Sequence, residues 1–116
     1  MSRRVEKPWG HEDIWHHGPY TAKTLHVRPG HRLSLQLHEQ KVETIYVCSG
    51  RAAITVGTDT REYRIGEVVH IPAGVSHRLE AVGSHELIVF EVATPELDDV
   101  IRLDDDYGRA PDASAA

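Results

Sequence analysis

The sequence predicts an all-β domain, a sandwich or a barrel, and two patterns indicate it. Turn-forming residues recur at roughly eight- to twelve-residue intervals, from Gly18-Pro19 to Gly83-Ser84. Between them lie short segments rich in Val, Ile, Thr and Tyr, and no window keeps the i, i+3, i+4, i+7 spacing of a long amphipathic helix. Many short strands at this spacing are typical of all-β sandwiches and barrels.

The strands are predicted where period-two segments lie between turns. They cover residues 21–27, 32–38, 42–49, 52–56, 68–71, 77–82 and 87–93. A chain of 116 residues is expected to form one domain over 1–116, with a core at about 7–109. The acidic stretch 96–106 is interpreted as a solvated face lying against the barrel, and 110–116 as a loose tail.

Composition excludes several classes of function. The net charge of −5 and the pI near 5.9 argue against a nucleic-acid binder, whose affinity needs clustered Lys and Arg. No apolar stretch approaches the length of a membrane span, so no membrane partner and a cytoplasmic location are expected. Cys48 is the single cysteine, which precludes an intramolecular disulfide, and its strand context predicts a packed residue rather than a nucleophile.

Segment 32–38 alternates without interruption between polar and leucine residues. Its polar face carries Arg32, Ser34, Gln36 and His38, and its apolar face carries Leu33, Leu35 and Leu37. If the polar face lines a cavity, the three leucines point away from it and need cover. That cover is expected from the N-terminal strand or from a second subunit, and we predict a homodimer.

Two segments supply side chains that can bind a metal. Gln36 and His38 are separated by two positions on one strand face, and Glu43 opens the next strand after a short turn. His77 follows the turn at 72–74 and is expected on a facing hairpin. Two imidazoles, a carboxylate and an amide oxygen suit a divalent first-row metal. Zinc is our first choice, and manganese, iron and nickel are chemically plausible.

The same positions resemble the two sequence motifs of the cupin family. The first motif is matched by Gly30, His38, Glu43 and Gly50, and the second by Gly66, Pro72, Gly74 and His77. Gln36 stands where the generic motif has its first histidine, and Ala81 stands where the second motif often ends in asparagine. The glutamine is informative, because phosphomannose isomerases resemble cupins whose metal set is Gln, His, Glu and His.

Further segments look like the C-terminal cupin domain of type II phosphomannose isomerase/mannose-1-phosphate guanylyltransferase, over about residues 7–109. They are Lys7-Pro8-Trp9-Gly10, 33–38, 71–79 and Asp105-Asp106-Tyr107-Gly108-Arg109. The resemblance implies a small double-stranded β-helix, the cupin or jelly-roll barrel. It also implies metal-dependent isomerisation of mannose 6-phosphate to fructose 6-phosphate. The nucleotidyltransferase domain of the two-domain enzymes is not among these residues.

Aldose–ketose isomerisation passes through an enediolate, whose charge a divalent metal can stabilise while a base moves the proton. The candidate bases are Glu43, Lys41 and His70. The candidate substrate contacts are Arg78, Arg109 and Ser34, the two arginines for a phosphate. Lys41 stands where the type II family commonly has an arginine, and a lysine lacks the bidentate fork that grips a phosphate or enediolate.

Two other classes of function remain open at this stage. One is a non-catalytic or regulatory metal-dependent module that binds a sugar, which Lys41 favours. The other is a different small-molecule cupin enzyme such as an oxygenase, because one barrel supports many chemistries. Oxygenases more often use three histidines and a glutamate around iron, so Gln36 counts against that class.

Overall fold

All regular secondary structure in the computed structural model, which describes residues 2–110, is β-strand, and the all-β prediction is confirmed. The predicted tail at 110–116 lies, except for residue 110, outside the described residues. The strands are β1 (Arg3–Lys7), β2 (Gly10–His17), β3 (Thr21–Val27), β4 (Leu35–Leu37), β5 (Glu43–Ser49), β6 (Arg51–Val56), β7 (Asp59–Tyr63), β8 (Val68–Ile71), β9 (His77–Val82), β10 (Leu87–Ala93) and β11 (Ile101–Asp104). Within residues 2–110 no helix could span a membrane.

The strands that sequence analysis missed lie at or beside the edges of the sheets. β3, β8, β9 and β10 have the predicted bounds, and β5 and β6 differ by one residue. β1, β7 and β11 are edge strands and β2 adjoins β1. β7 shows why such strands are hard to predict: its residues are exposed except for the half-buried Tyr63, so it has no apolar alternation.

Two antiparallel sheets form the barrel, and the chain passes repeatedly from one to the other. One sheet has the order β1-β2-β3-β10-β5-β8 and the other β11-β4-β9-β6-β7. Strand β10 therefore lies between β3 and β5, although both precede it by more than 35 residues. This strand order places side chains from distant segments in adjacent rows on the inner face.

The interior has an apolar end and a charged end. Along β10, Leu87 and Val89 are buried in the apolar core, and Glu91 is buried two positions further on. β3 runs antiparallel to β10, with Leu25 opposite Val89 and Lys23 opposite Glu91. Because the strands pair in this register, the inward charged residues line up at one end of the barrel.

Two expectations about side-chain position are wrong. The alternation predicted over 32–38 does not persist, because the regular strand is only Leu35–Leu37. Leu33 packs against the core instead of pointing away from it, so the premise of three leucines on one outer face fails. Cys48 is exposed, since it alternates with buried Val47 along β5. The homodimer stays a prediction.

We predict that Gly50→Ala lowers the melting temperature more than Gly57→Ala. Both glycines have positive φ, 81° and 63°, so both variants strain the backbone by a similar amount. A Cβ at Gly50 would lie 2.5 Å from the carbonyl oxygen of Glu86, whereas a Cβ at Gly57 meets nothing within 4 Å. Thermal unfolding of the two variants measures the difference, and equal melting temperatures would contradict the close approach at Gly50.

Candidate metal centre

His38, Glu43 and His77 converge at the charged end of the barrel, and all three are buried. The Nε2 atoms of His38 and His77 lie 3.6 and 3.2 Å from the two carboxylate oxygens of Glu43. On each ring the Nδ1 atom faces a backbone carbonyl, that of Asp99 for His38 and that of Val75, 3.0 Å away, for His77. With Nδ1–H donating to these carbonyls, each Nε2 presents its lone pair to the cluster.

This arrangement fits a divalent metal ion. One ligand atom from each residue lies within 4.8 Å of the others, and neither Nε2 has a hydrogen-bond partner among residues 2–110. Metal-binding histidines usually donate their other N–H to a carbonyl or carboxylate, as both rings do here. The structure therefore brings together three of the four ligands that the sequence predicts.

Gln36, the fourth predicted ligand, lies beside the cluster. It is paired with His77 across the β4–β9 ladder and lines the same cavity. Its Oε1 accepts a hydrogen bond of 2.7 Å from the hydroxyl of Ser34, which is itself buried. Ser34, predicted as a substrate contact, thus orients the amide of Gln36, whose oxygen retains a second lone pair.

Lys41 is held between two buried carboxylates. Its Nζ lies 3.0 Å from Glu43 Oε2 and 3.1 Å from Glu91 Oε2. Burial lowers the pKa of Lys41, but the charges of Glu91 and Glu43 outweigh burial and raise the pKa above its usual value. Burial also acts to raise the pKa of Glu43, but the close approach of His77 and the positive charge of Lys41 bring that pKa well below its usual value. Lys41 is therefore an ammonium ion and Glu43 a carboxylate.

The charged row continues beyond Lys41 to side chains that sequence analysis missed. Lys23 Nζ lies 3.8 Å from Glu91 Oε2 and 3.3 Å from Glu12 Oε2, and all three residues are buried. Burial and the charge of Glu43 raise the pKa of Glu91, against the opposing effect of Lys41 and Lys23. The sequence does contain a signal that could have revealed Glu91. It is a charged residue at an inward position of the otherwise apolar strand Leu87–Ala93.

The cluster opens into a cavity of about 90 Å³ with an excess of basic side chains. Its basic residues are Lys7, Lys23, Lys41, Arg78, Arg102 and Arg109, and its acidic residues are Glu12, Glu43 and Glu91. Burial lowers the pKa of Lys7, and the positive charges of Lys23, Arg102 and Arg109 lower it further, against the effect of Glu12. The cavity is thus locally suited to an anion, although the whole protein carries a charge of −5.

The two arginines predicted to bind phosphate line the cavity but are already engaged. Arg78 donates from Nε to the carbonyl of Leu33 at 3.0 Å and from Nη2 to Asp104 at 3.1 Å. The guanidinium of Arg109 donates twice to Asp105, with both distances 2.9 Å. The contact of Arg78 with Asp104 anchors the segment after β10 to the barrel, whereas the contact of Arg109 with Asp105 is internal to that segment.

His70, predicted as a candidate base, lies outside the cavity. Its side chain is exposed on β8 between buried Val69 and Ile71, and its Nδ1 lies 3.0 Å from the hydroxyl of Thr44. Strand side chains alternate between faces, so the inward-facing positions on this strand are those of Val69 and Ile71 and not that of His70. The assignment of His70 as the base is therefore wrong.

Asp99 fixes the turn that carries the metal-binding residues, which corrects the interpretation of 96–106 as a solvated face. Its carboxylate accepts backbone hydrogen bonds from Glu39, Gln40 and Lys41 at 3.0, 2.7 and 2.9 Å. Its own carbonyl accepts the Nδ1–H of His38. One residue of the acidic segment thus positions both His38 and Lys41.

The fold and this site define a cupin, a double-stranded β-helix with a His/Glu cluster inside the barrel. KdgF from Halomonas sp. is similar in structure, with a TM-score of 0.75 and 20% identity over 84% of this chain and 88% of that one. A Klebsiella pneumoniae protein with a double-stranded β-helix domain has a TM-score of 0.70 and 17% identity, over 84% and 81%. These likenesses confirm the predicted fold.

The chain belongs to the family described as mannose-6-phosphate isomerase, C-terminal, whose profile matches residues 1–105. It is 37% identical over 113 residues to mannose-1-phosphate guanylyltransferase ManC of Salmonella typhimurium, covering 94% of this chain. The chain spans about a quarter of the length of that relative, since the match covers 24% of it. The resemblance seen in the sequence is confirmed.

We predict that His38→Ala and His77→Ala each lose one equivalent of tightly bound metal, while His16→Ala and His85→Ala lose none. Removing a ligand from the cluster leaves too few donors around the ion. His16 and His85 are exposed and belong to no cluster of metal-binding side chains within residues 2–110. Elemental analysis after dialysis measures this, and equal metal content in all four variants would show that the wrong histidines were chosen.

We also predict that Asp99→Ala weakens metal binding while Asp98→Ala does not. The first variant removes a charged acceptor from three backbone N–H groups and costs at least about 1.5 kcal/mol of stability. His38 then loses the turn that orients it, so metal affinity falls at least about tenfold. Asp98 is the exposed neighbour and serves as the control. Competition with a chromogenic chelator measures both affinities, and unchanged binding in Asp99→Ala would refute the positioning role.

Proposed function

We propose that this protein is a metal-dependent sugar-phosphate isomerase that interconverts mannose 6-phosphate and fructose 6-phosphate. The proposal depends chiefly on one observation: the buried His38, Glu43 and His77 open into a cavity with twice as many basic as acidic side chains. Such a cavity matches a ligand with a phosphate at one end and hydroxyl oxygens at the other. Membership of the isomerase family supports the same reaction.

The residues that would hold the metal are Gln36, His38, Glu43 and His77, and zinc is the ion proposed, with manganese, iron or nickel as alternatives. A bound ion would supply Lewis-acid stabilisation of the negative charge that develops on the sugar oxygens. The chain itself shields these side chains from bulk solvent, because the two histidines and Glu43 are each 5% exposed or less.

Lys41 is proposed to act as a fixed positive charge and not as the base. Its ammonium group, bound by Glu43 and Glu91, can stabilise an enediolate but has no lone pair to accept a proton. With His70 outside the cavity, proton transfer between the two sugar carbons falls to a buried carboxylate. Glu43 and Glu91 are the two carboxylates next to Lys41.

Phosphate recognition is assigned to Lys7. Its pKa is lowered by burial and by neighbouring basic groups, so a bound anion would relieve the repulsion that it experiences. Arg78 and Arg109, the earlier candidates, contribute charge to the cavity while their guanidinium groups hold Asp104 and Asp105. In this proposal Lys7 contacts the ligand, while the two arginines line the cavity with their guanidinium groups already paired to aspartates.

A sugar-phosphate-binding module without turnover is the second candidate. The double ion pair of Lys41 favours it, because a lysine held by two carboxylates is less available to a substrate than a free one. The expected cytoplasmic location and homodimer belong to the proposal under either function.

We predict that the zinc-loaded protein interconverts the two sugar phosphates and that a chelator abolishes the activity. Lys41→Ala should lower kcat/KM by at least about tenfold, because it removes a charge next to the reacting oxygens. Arg51→Ala, which removes an exposed ion pair with Glu62, should change kcat/KM by less than about twofold. A coupled spectrophotometric assay measures all three proteins.

The outcome also separates the two candidate functions. Absent turnover in a fully metallated sample, with calorimetric binding of mannose 6-phosphate that Lys7→Ala weakens, would favour the binding module. Absent turnover and absent binding would refute both functions.

A further inference from the structure

A second group of metal-binding side chains lies on the outer face of the larger sheet. His11 and Asp13 are two positions apart on β2, so they share a face, and His26 is the register partner of His11 on β3. Glu12, which lies between His11 and Asp13, points into the cavity. The group is therefore separated from the candidate metal centre by the thickness of the sheet.

In both imidazoles the same ring atom, Nε2, lies near a single carboxylate oxygen. The Nε2 atoms of His11 and His26 lie 3.8 and 3.7 Å from Asp13 Oδ2, and the rings are stacked at 4.3 Å between centroids with an interplanar angle of 15°. Both separations exceed a hydrogen bond. The Nε2 of His11 is buried and has no hydrogen-bond partner among residues 2–110. One ligand atom from each of the three residues thus lies within 4.8 Å of the others, and neither Nε2 is hydrogen-bonded to Asp13 Oδ2.

We propose that His11, Asp13 and His26 form a second site for a divalent transition metal of the zinc class. Adjacent ligands of a tetrahedral zinc ion are about 3.3 Å apart, so binding would require Oδ2 to approach the two Nε2 atoms by about half an ångström and the stacked rings to rotate out of their near-parallel arrangement. One or two imidazoles with a carboxylate are ordinary zinc ligands. His11 and His26 are each 20% exposed at the side chain, which leaves an open side for a water molecule as the fourth ligand.

Charged side chains flank the group on both sides. Arg4 donates from Nε to Asp13 Oδ1 at 3.0 Å and from Nη2 to Oδ2 at 3.4 Å, so it fixes the carboxylate beside the histidines, and its longer contact is with the oxygen that would bind the ion. On the other side, Glu86 Oε1 lies 3.9 Å from Nδ1 of His26. At that distance Glu86 makes no hydrogen bond to the ring, but its negative charge favours a cation bound at the other ring nitrogen.

A metal ion here would cross-link β2 to β3 and would take no part in the chemistry of the cavity. It would hold the N-terminal hairpin, because β1 is an edge strand that pairs with β2. Zinc should therefore raise the melting temperature of the protein even when the candidate metal centre has been removed.

The test uses the full chain with His38→Ala and His77→Ala combined, which removes two ligands of the candidate metal centre and so abolishes metal binding there. Titration of this background with Zn²⁺ should show one equivalent bound and a rise in melting temperature. Adding His26→Ala should weaken that binding more than about 100-fold and abolish the rise, while adding His85→Ala, an exposed histidine outside the group, should change neither. Zinc binding to the background that is absent, or that is unaltered by His26→Ala, would overturn the proposal.

A second measurement covers the case in which the background variant does not fold. Co²⁺ is titrated into the unaltered chain and, separately, into the His11→Ala and His26→Ala variants. The visible absorption is followed, since tetrahedral cobalt absorbs strongly in that range. Two equivalents are expected for the unaltered chain, and one for either His11→Ala or His26→Ala. One equivalent in the unaltered chain, or two in both variants, would refute the site.

Discussion

Charged side chains inside a barrel must neutralise one another, because an unpaired buried charge costs several kcal/mol. Lys41 meets this requirement by binding Glu43 and Glu91 at once. The same pairing keeps Glu43 ionised next to the two histidines, so one interaction both balances charge in the barrel and supports the group that can hold a metal. Removal of Lys41 would leave two carboxylates close together and would disturb the whole charged end of the barrel.

The site depends on both sheets and on a segment outside them. Glu43 comes from β5 in one sheet and His77 from β9 in the other, and their side chains meet because the sheets close into a barrel. Asp99 belongs to neither sheet, yet its carboxylate holds the turn between β4 and β5. The apolar core at the opposite end provides the rigid support, with Val27, Leu87 and Val89 fully buried.

Strand alternation allows one pair of strands to serve two sites. On β2 and β3 the inward residues Glu12 and Lys23 complete the charged row of the cavity. The outward residues His11, Asp13 and His26 form the group proposed as a second metal site. Because the sheet separates them, a change on one face can leave the other intact, and the two sites can be tested independently.

Alternation and turns in the sequence determined the all-β class and the bounds of four strands, because these are local properties, and the resemblance to the two cupin motifs added the grouping of His38, Glu43 and His77. Only the tertiary structure decided the roles of Glu91, Lys23 and Asp99, since their partners lie far along the chain and are brought close by strand order. It also decided which face of each strand is inside. A period of two separates residues into two sets but does not say which set meets the cavity, which is why His70 and Cys48 were misplaced.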